Sequence, residues 1–272
     1  MDNGRMASTG ARQVRVTLGD FPEGQVATVT ICNASRLNTM SSAMMGEFIE
    51  ELAALAENRE LRAVVLTGDG EKAFIGGADI KEMAALRDPA SARAFISRVH
   101  ACLAAVRDIP VPTIARIQGY AFGAGLEMAA ACDLRVASDN AVFGMPEVRL
   151  GIPSVAEAAL LPMLVGWGRA RQTLLLGENF TAAQALEWKF VERMTLRGQL
   201  DDAVQVFVRQ ALNCAPAAVR LQKSLIRSWE DLPLRAAIAA GIDAFASAYN
   251  TDEPQSKMRK FLEAQAERKA RA

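Results

Sequence analysis

Apolar positions along the chain switch repeatedly between alternation and helical spacing. Residues 25–31 alternate and are rich in β-branched side chains, which predicts a strand. Ser41 or Ser42 then offers an N-cap, and Met44, Met45, Phe48, Ile49, Leu52 and Leu55 recur on one helical face. Residues 62–67 form a short apolar run closed by Gly68, Asp69 and Gly70, the pattern of a buried strand and its turn. Residues 74–79 contain glycines and read as irregular. A helix is predicted over 90–107 and is stopped by Pro110 and Pro112; residues 113–118 are the next strand, ended by Gly119. Gly123, Ala124 and Gly125 precede a helical run over 126–132, and 134–137 and 141–144 read as strands. From Ala156 onward the pattern is mostly helical, with Thr181 as a cap and three or four helices over 200–272.

Alternating strands and helices place the first two-thirds in the α/β class, while the last third reads as all helical. That helical part is either a separate lobe or an oligomerisation element. No low-complexity segment and no clean internal repeat stands out.

Composition narrows the function. Of 272 residues, 51% are hydrophobic, enough for a sizeable core. No apolar run approaches the roughly 20 residues of a membrane-spanning helix, so no membrane partner is expected. Residues 1–12 are polar, lack the apolar stretch of a secretory signal and are expected to form a flexible tail. Lys plus Arg equals Asp plus Glu at 31 each, without the basic surplus that phosphate neutralisation favours, and no nucleic-acid partner is expected. Cys32, Cys102, Cys132 and Cys214 show no metal-site spacing and suit reduced thiols in a cytoplasmic protein. The single histidine, His100, lies in the predicted 90–107 helix and is expected on its surface. A chain with one histidine is poorly equipped for Ser-His-Asp chemistry or a multi-histidine metal site, so carboxylates and backbone dipoles must carry much of any catalysis.

Two segments share a strand, a glycine turn and then a helix or loop: residues 67–83 and 118–132. Glycines permit close backbone approach, and a helix start leaves N–H groups unpaired; together they bind an anion or a developing oxyanion. Gly68-x-Gly70-x-x-Ala73 also follows a strand as a dinucleotide fingerprint does. However, residues 74–77 do not continue as a helix, and the acidic residue at the expected spacing, Asp88, lies in a helical-looking stretch before Pro89. Tight turns and packing alone would also account for the glycines of either segment. Glu127, set among small apolar residues in the first turn after Gly125, is costly unless paired or functional. It also fits a helix N-terminal carboxylate favoured by the dipole. Glu147, after Phe143-Gly-Met-Pro, fits either a site residue or a surface turn.

Taken together, Phe74-Ile-Gly-Gly-Ala-Asp-Ile-Lys-Glu-Met83, Gly119-Tyr-Ala-Phe-Gly-Ala-Gly-Leu-Glu127, Phe143-Gly-Met-Pro-Glu147 and Leu150-Gly-Ile-Pro153 resemble the enoyl-CoA hydratase (crotonase) superfamily in order and spacing, over about residues 26–262. The resemblance implies an α/β fold with a spiral core of repeated ββα turns over 13–200 and a helical region over 201–272 that builds homo-trimers, often paired into hexamers. It implies an acyl-CoA thioester substrate, with coenzyme A part of the substrate and neither a metal nor a redox cofactor. The oxyanion donors fall on the backbone N–H groups of Ala78 and Ala124, the latter usually glycine in the family; alanine keeps the N–H provided φ is not positive. Glu127 and Glu147 fall on the two glutamates that handle water in hydratases, since syn addition needs a base for water and a proton donor for Cα. Gly76, Asp79, Ile80 and Lys81 fall along the substrate, with Lys81 a coenzyme A contact or a solvated surface charge. Phe261 matches an aromatic that packs on coenzyme A, often from a neighbouring subunit. The activity implied is hydration of a 2-enoyl-CoA to a 3-hydroxyacyl-CoA. The alternatives are an enoyl-CoA isomerase, a specialised acyl-CoA dehydratase, or a crotonase-like protein that binds a partner such as RNA.

Two stretches depart from the pattern. Pro153-Ser-Val-Ala-Glu-Ala-Ala159 replaces a glycine-rich run, and Glu157 replaces a glycine close to the expected pocket. Glu157 either adds a polar group near the acyl chain or is a helix-start carboxylate. Near the C-terminus Ala264 stands where a lysine is expected, leaving Arg268, Lys269 or no residue there for the coenzyme A phosphates.

Overall fold

A computed structural model describes residues 13–271, so the tail expected over 1–12 lies outside the described residues. The chain opens with an antiparallel hairpin, β1 (Val14–Phe21) and β2 (Gly24–Ile31). Helix α1 (Ser42–Ala56) starts on Ser41, whose hydroxyl accepts from the Met44 N–H, and buries Met44, Met45, Phe48, Leu52 and Leu55. Three strand pairs follow in the same sense. β3 (Leu61–Gly68) and β4 (Ala73–Ile75) lead to α2 (Ile80–Ala85) and α3 (Pro89–Asp108). β5 (Thr113–Ile117) and β6 (Tyr120–Phe122) lead to α4 (Ala124–Ala131). β7 (Leu134–Ser138) and β8 (Val142–Gly144) lead to two 3-10 turns, Glu147–Leu150 and Ala156–Leu160, and to α5 (Leu161–Leu176). β9 (Phe180–Thr181), α6 (Ala182–Glu187) and β10 (Arg193–Thr195) close the two sheets. Four helices complete the chain: α7 (Leu200–Asn213), α8 (Pro216–Asp231), α9 (Leu234–Ala248) and α10 (Glu253–Arg271).

The first strand of each pair joins a six-stranded sheet in the order β1-β2-β3-β5-β7-β10, and the second joins a four-stranded sheet, β4-β6-β8-β9. Each pair thus makes one turn of a spiral. This is a structural repeat that the sequence does not display, because the turns share strand direction rather than residue identity. β3 shows why its sequence reads as continuously apolar: Val64 and Leu66 enter the main core, while Ala63 and Val65 pack under α7 with Val204 and Val208. The reading of the last third as all helical is corrected here: β10 lies within it, paired in parallel with β7. Such a short strand is held by its ladder partner and leaves no local periodicity.

The turn between β3 and β4 also decides the dinucleotide alternative. Buried amides hold its carbonyl groups: Gln118 Nε2 donates to the oxygens of Gly68 (2.7 Å) and Gly70 (3.0 Å), and Asn38 Nδ2 donates to those of Asp69 and Ala73 (2.9 Å each). The chain then enters β4 rather than a helix, so no helix N-terminus faces a pyrophosphate there. Asp88 is the N-cap of α3, accepting from Ala90 and Ser91, with Pro89 in the first helical position.

Candidate active site

β4 and β6 run parallel and adjacent, so the glycine segments that follow them emerge on the same side. After β4 the backbone is pinned to Met40: the Met40 N–H donates to the Gly77 oxygen (2.9 Å), and the Asp79 N–H donates to the Met40 oxygen (3.0 Å). The intervening N–H, that of Ala78, has no acceptor among the described residues. Ala124 occupies the first position of α4, where an N–H has no intrahelical partner, and it too lacks an acceptor among the described residues. Gly123 before it has φ 53 and ψ −124, the mirror image of an extended conformation and one that favours glycine. That conformation places the positive φ on Gly123 and spares Ala124. At Gly125 a side chain would overlap the Ile75 carbonyl oxygen, so α4 rests directly on the β4 backbone. Ala78 and Ala124 both border one cavity of about 90 Å³.

The same cavity is bordered by Glu127 and Glu147. Glu127 is buried, 4% exposed, and one carboxyl oxygen accepts from the Ala158 N–H at 3.2 Å. Burial pushes its pKa up to about 8; the neighbouring Glu147 and Glu157 charges add to this, and the Ala158 bond opposes it. Glu147 is raised above the ordinary carboxylate value by burial, against its own backbone hydrogen bond and the Ser154 hydroxyl, which donates to Oε2 at 2.9 Å. A side chain at Gly123 would come within 2.5 Å of Glu147 Oε1, so the glycine that turns Ala124 inward also clears space for this carboxylate. Two carboxyls with raised proton affinity in one cavity favour holding a proton between them near neutrality.

The other expected site residues divide. Gly76 and Ile80 line the cavity. The Asp79 carboxylate is the N-cap of α2, accepting from the Lys81 and Glu82 N–H groups, and it pairs with Arg36 at 3.1 Å. Lys81 is exposed on α2 and Phe261 on α10, and neither lines the cavity. Sequence reasoning did not identify Ser154 or the Ala158 N–H, and it could not place the apolar wall of Met83, Phe95, Ile96 and Val99. The wall comes from α2 and α3, whose placement against the glycine segments is a tertiary fact. The Ala158 contribution is backbone, and so carries no residue signature. Glu157 does not line the cavity: one oxygen faces His100 Nδ1 at 2.9 Å and Arg107 at 4.0 Å, while its charge still acts on Glu127. His100 is exposed on α3, as its position in the pattern predicts.

A family model described as enoyl-CoA hydratase/isomerase matches residues 22–269. The chain belongs to that family. A short-chain-enoyl-CoA hydratase of Clostridium acetobutylicum is 34% identical over 89% of this chain and 92% of its own length. A crotonyl-CoA hydratase of Syntrophomonas wolfei is 30% identical over 89% and 93%, respectively. The crystal structure of an enoyl-CoA hydratase from Bacillus anthracis superposes with a TM-score of 0.86 at 30% identity, covering 93% of this chain and 96% of that one. The crotonase-type α/β fold with its C-terminal helices is therefore shared with hydratases along nearly the whole described chain.

Proposed function

We propose that this enzyme adds water across the double bond of a short-chain 2-enoyl-CoA thioester, giving the 3-hydroxyacyl-CoA. The observation that carries the reading is the convergence on one cavity of two alanines with unpaired backbone N–H groups and two carboxyls of raised proton affinity. The thioester oxygen accepts from Ala78 and Ala124. This withdraws electron density from Cβ and stabilises the enolate formed when water attacks; one such donor is worth roughly 3 kcal/mol in enzymes where it has been removed. Glu127 and Glu147 hold the water between them. The ionised member of the pair takes its proton, and the protonated member supplies one to Cα on the same face.

Met83, Phe95, Ile96 and Val99 give the cavity an apolar wall for the acyl chain. A short acyl group is in keeping with the short-chain and crotonyl names of two relatives. Coenzyme A arrives as part of the substrate, and the chemistry calls for no metal or separate cofactor. Ile80, which lines the cavity, and the exposed Lys81 next to it would contact coenzyme A. The exposed row Leu234, Ile238, Ile242, Phe245 and Tyr249 on α9 supports a homo-oligomer, trimer or hexamer, in which Phe261 meets the coenzyme A of a neighbouring subunit. The four cysteines are unpaired, which suits the cytoplasm, and among the described residues no helix is long and apolar enough to cross a membrane.

The test is crotonyl-CoA hydration followed by loss of enoyl-thioester absorbance, with Glu127→Gln and Glu147→Gln alongside. We expect each substitution to lower kcat by about 10²–10⁴. A folded wild type that binds crotonyl-CoA without hydrating it, or variants that keep full activity, would refute the reading.

A further inference from the structure

The segment of residues 153–158 meets both carboxyls of the site. The Ser154 hydroxyl donates to Glu147 Oε2 at 2.9 Å. Four residues on, the Ala158 N–H is shared between Glu127 Oε1 at 3.2 Å and the Val155 oxygen at 3.0 Å. Pro153 and Val155 line the cavity as well. The aim of the two glutamates thus depends on where this short segment sits. Its own backbone works against that placement: Ala156 has φ 49, a left-handed conformation that an L residue adopts at a cost. Strain of this kind persists where surrounding contacts over-determine the conformation.

One such contact comes from Glu157, which stays outside the cavity, is 3% exposed and reaches α3. Its Oε1 lies 2.9 Å from His100 Nδ1 and 4.0 Å from Arg107 Nη1, and its Oε2 is buried without a hydrogen-bond partner. Arg107 is itself bonded to Glu230 of α8. Among the described residues, the His100 contact is therefore the hydrogen bond that joins this side chain to another element. It holds in either protonation state. An Nδ1–H donates to the carboxylate, and a neutral carboxyl donates to a bare Nδ1. The same helix supplies Phe95, Ile96 and Val99 to the cavity wall. The bond thus ties the segment that touches both glutamates to the helix that walls the acyl site. His100 is exposed and does not line the cavity, so its removal opens no hole in the core.

We propose that the Glu157–His100 hydrogen bond is a tether that fixes residues 153–158, making both side chains positioning residues for Glu127 and Glu147. The link is geometric and runs through the main chain: His100 to Glu157, then the next residue, Ala158, whose N–H meets Glu127. The proposal rests on the hydratase reading for its kinetic consequence, because water must be held between two carboxyls of fixed aim.

The test compares His100→Ala with His100→Asn in crotonyl-CoA kinetics and in hydrogen–deuterium exchange of residues 153–160, which needs no turnover. His100→Ala is expected to lower kcat by about 10-fold or more, with KM and Tm unchanged, and to speed exchange in the segment. Asparagine carries a nitrogen donor the same number of bonds from Cα as Nδ1, so His100→Asn is expected to recover most of both losses. Helix propensity runs the other way, alanine above asparagine, so a role limited to stabilising α3 predicts the reverse order. Glu157→Ala is expected to lower kcat alike, and adding His100→Ala to it should cost nothing more, because the same bond is removed once. Unchanged kcat and exchange in His100→Ala, a loss confined to KM, or asparagine no better than alanine would overturn the proposal. If Glu157→Ala does not fold, the two variants of the exposed His100 decide alone. A wild type that does not hydrate crotonyl-CoA would sink the reaction assigned above, while the exchange measurement would still test the tether.

Discussion

Glu127→Gln should make the protein more stable in alkali while slowing its chemistry by the roughly 10²–10⁴-fold expected above. Glu127 holds its proton up to about pH 8 in the folded chain, against an ordinary value of 4.5. Between those limits the unfolded chain has released the proton and the folded chain has not. Stability therefore falls with rising pH, by about 1.4 kcal/mol per unit. Over the interval from 4.5 to about 8, the loss approaches about 5 kcal/mol; it is absent below 4.5 and complete above 8. Glutamine is neutral in both states, and its amide oxygen can still accept from the Ala158 N–H. Urea unfolding of both proteins, at one fixed protomer concentration, should show the gap in stability widening in favour of the variant by about 4 kcal/mol between pH 5 and pH 9. A fixed concentration keeps any mass-action contribution from self-association the same for both proteins. Parallel stability profiles for the two proteins would refute the reasoning, because they would mean that the Glu127 proton is not held by burial.

Three further outcomes follow from the same geometry. Ala124→Pro keeps the helix, because proline suits the first helical position and the preceding Gly123 already has a compatible mirror-extended backbone; by removing the N–H it should lower kcat by about 10²–10³ with little change in Tm. Ser154→Ala removes a hydrogen bond that favours ionised Glu147, so the acidic limb of kcat/KM should move to higher pH; an unmoved limb would show that the bond does not act on the reacting pair. Ala156→Gly relieves the left-handed backbone and should raise stability by about 0.5–1 kcal/mol in thermal or urea unfolding.

Much of the scaffold was legible because its elements carry their own periodicity. α1 and α3 show apolar faces and side-chain caps, and β2 and β3 are long and β-branched. The two glycine segments and both glutamates were legible as a set, since turn, helix start and carboxylate recur at fixed spacing. What escaped notice has no local signature. β1 is a half-exposed edge strand broken by Gly19 and Asp20, and it exists through pairing with β2. β4, read as irregular, is three residues held by β6, and β10 is three residues held by β7. Glu157 was noticed as a departure, but its partners His100 and Arg107 lie 57 and 50 positions away, on a helix whose packing the sequence does not state.

Alanine already stands at both positions proposed to hold the substrate carbonyl through their N–H groups. An alanine scan of this site would therefore report the glutamates and pass over the donors entirely. The groups asked to stabilise the enolate cannot be truncated, swapped for a near relative or ranked by side-chain chemistry. They are written in main chain and held by Gly123, Gly125 and the Met40 bridge, so pocket side chains are free to diverge toward other acyl groups or other enolate reactions. Only backbone surgery, by proline or by an ester in place of the amide, can put a number on what those two donors contribute.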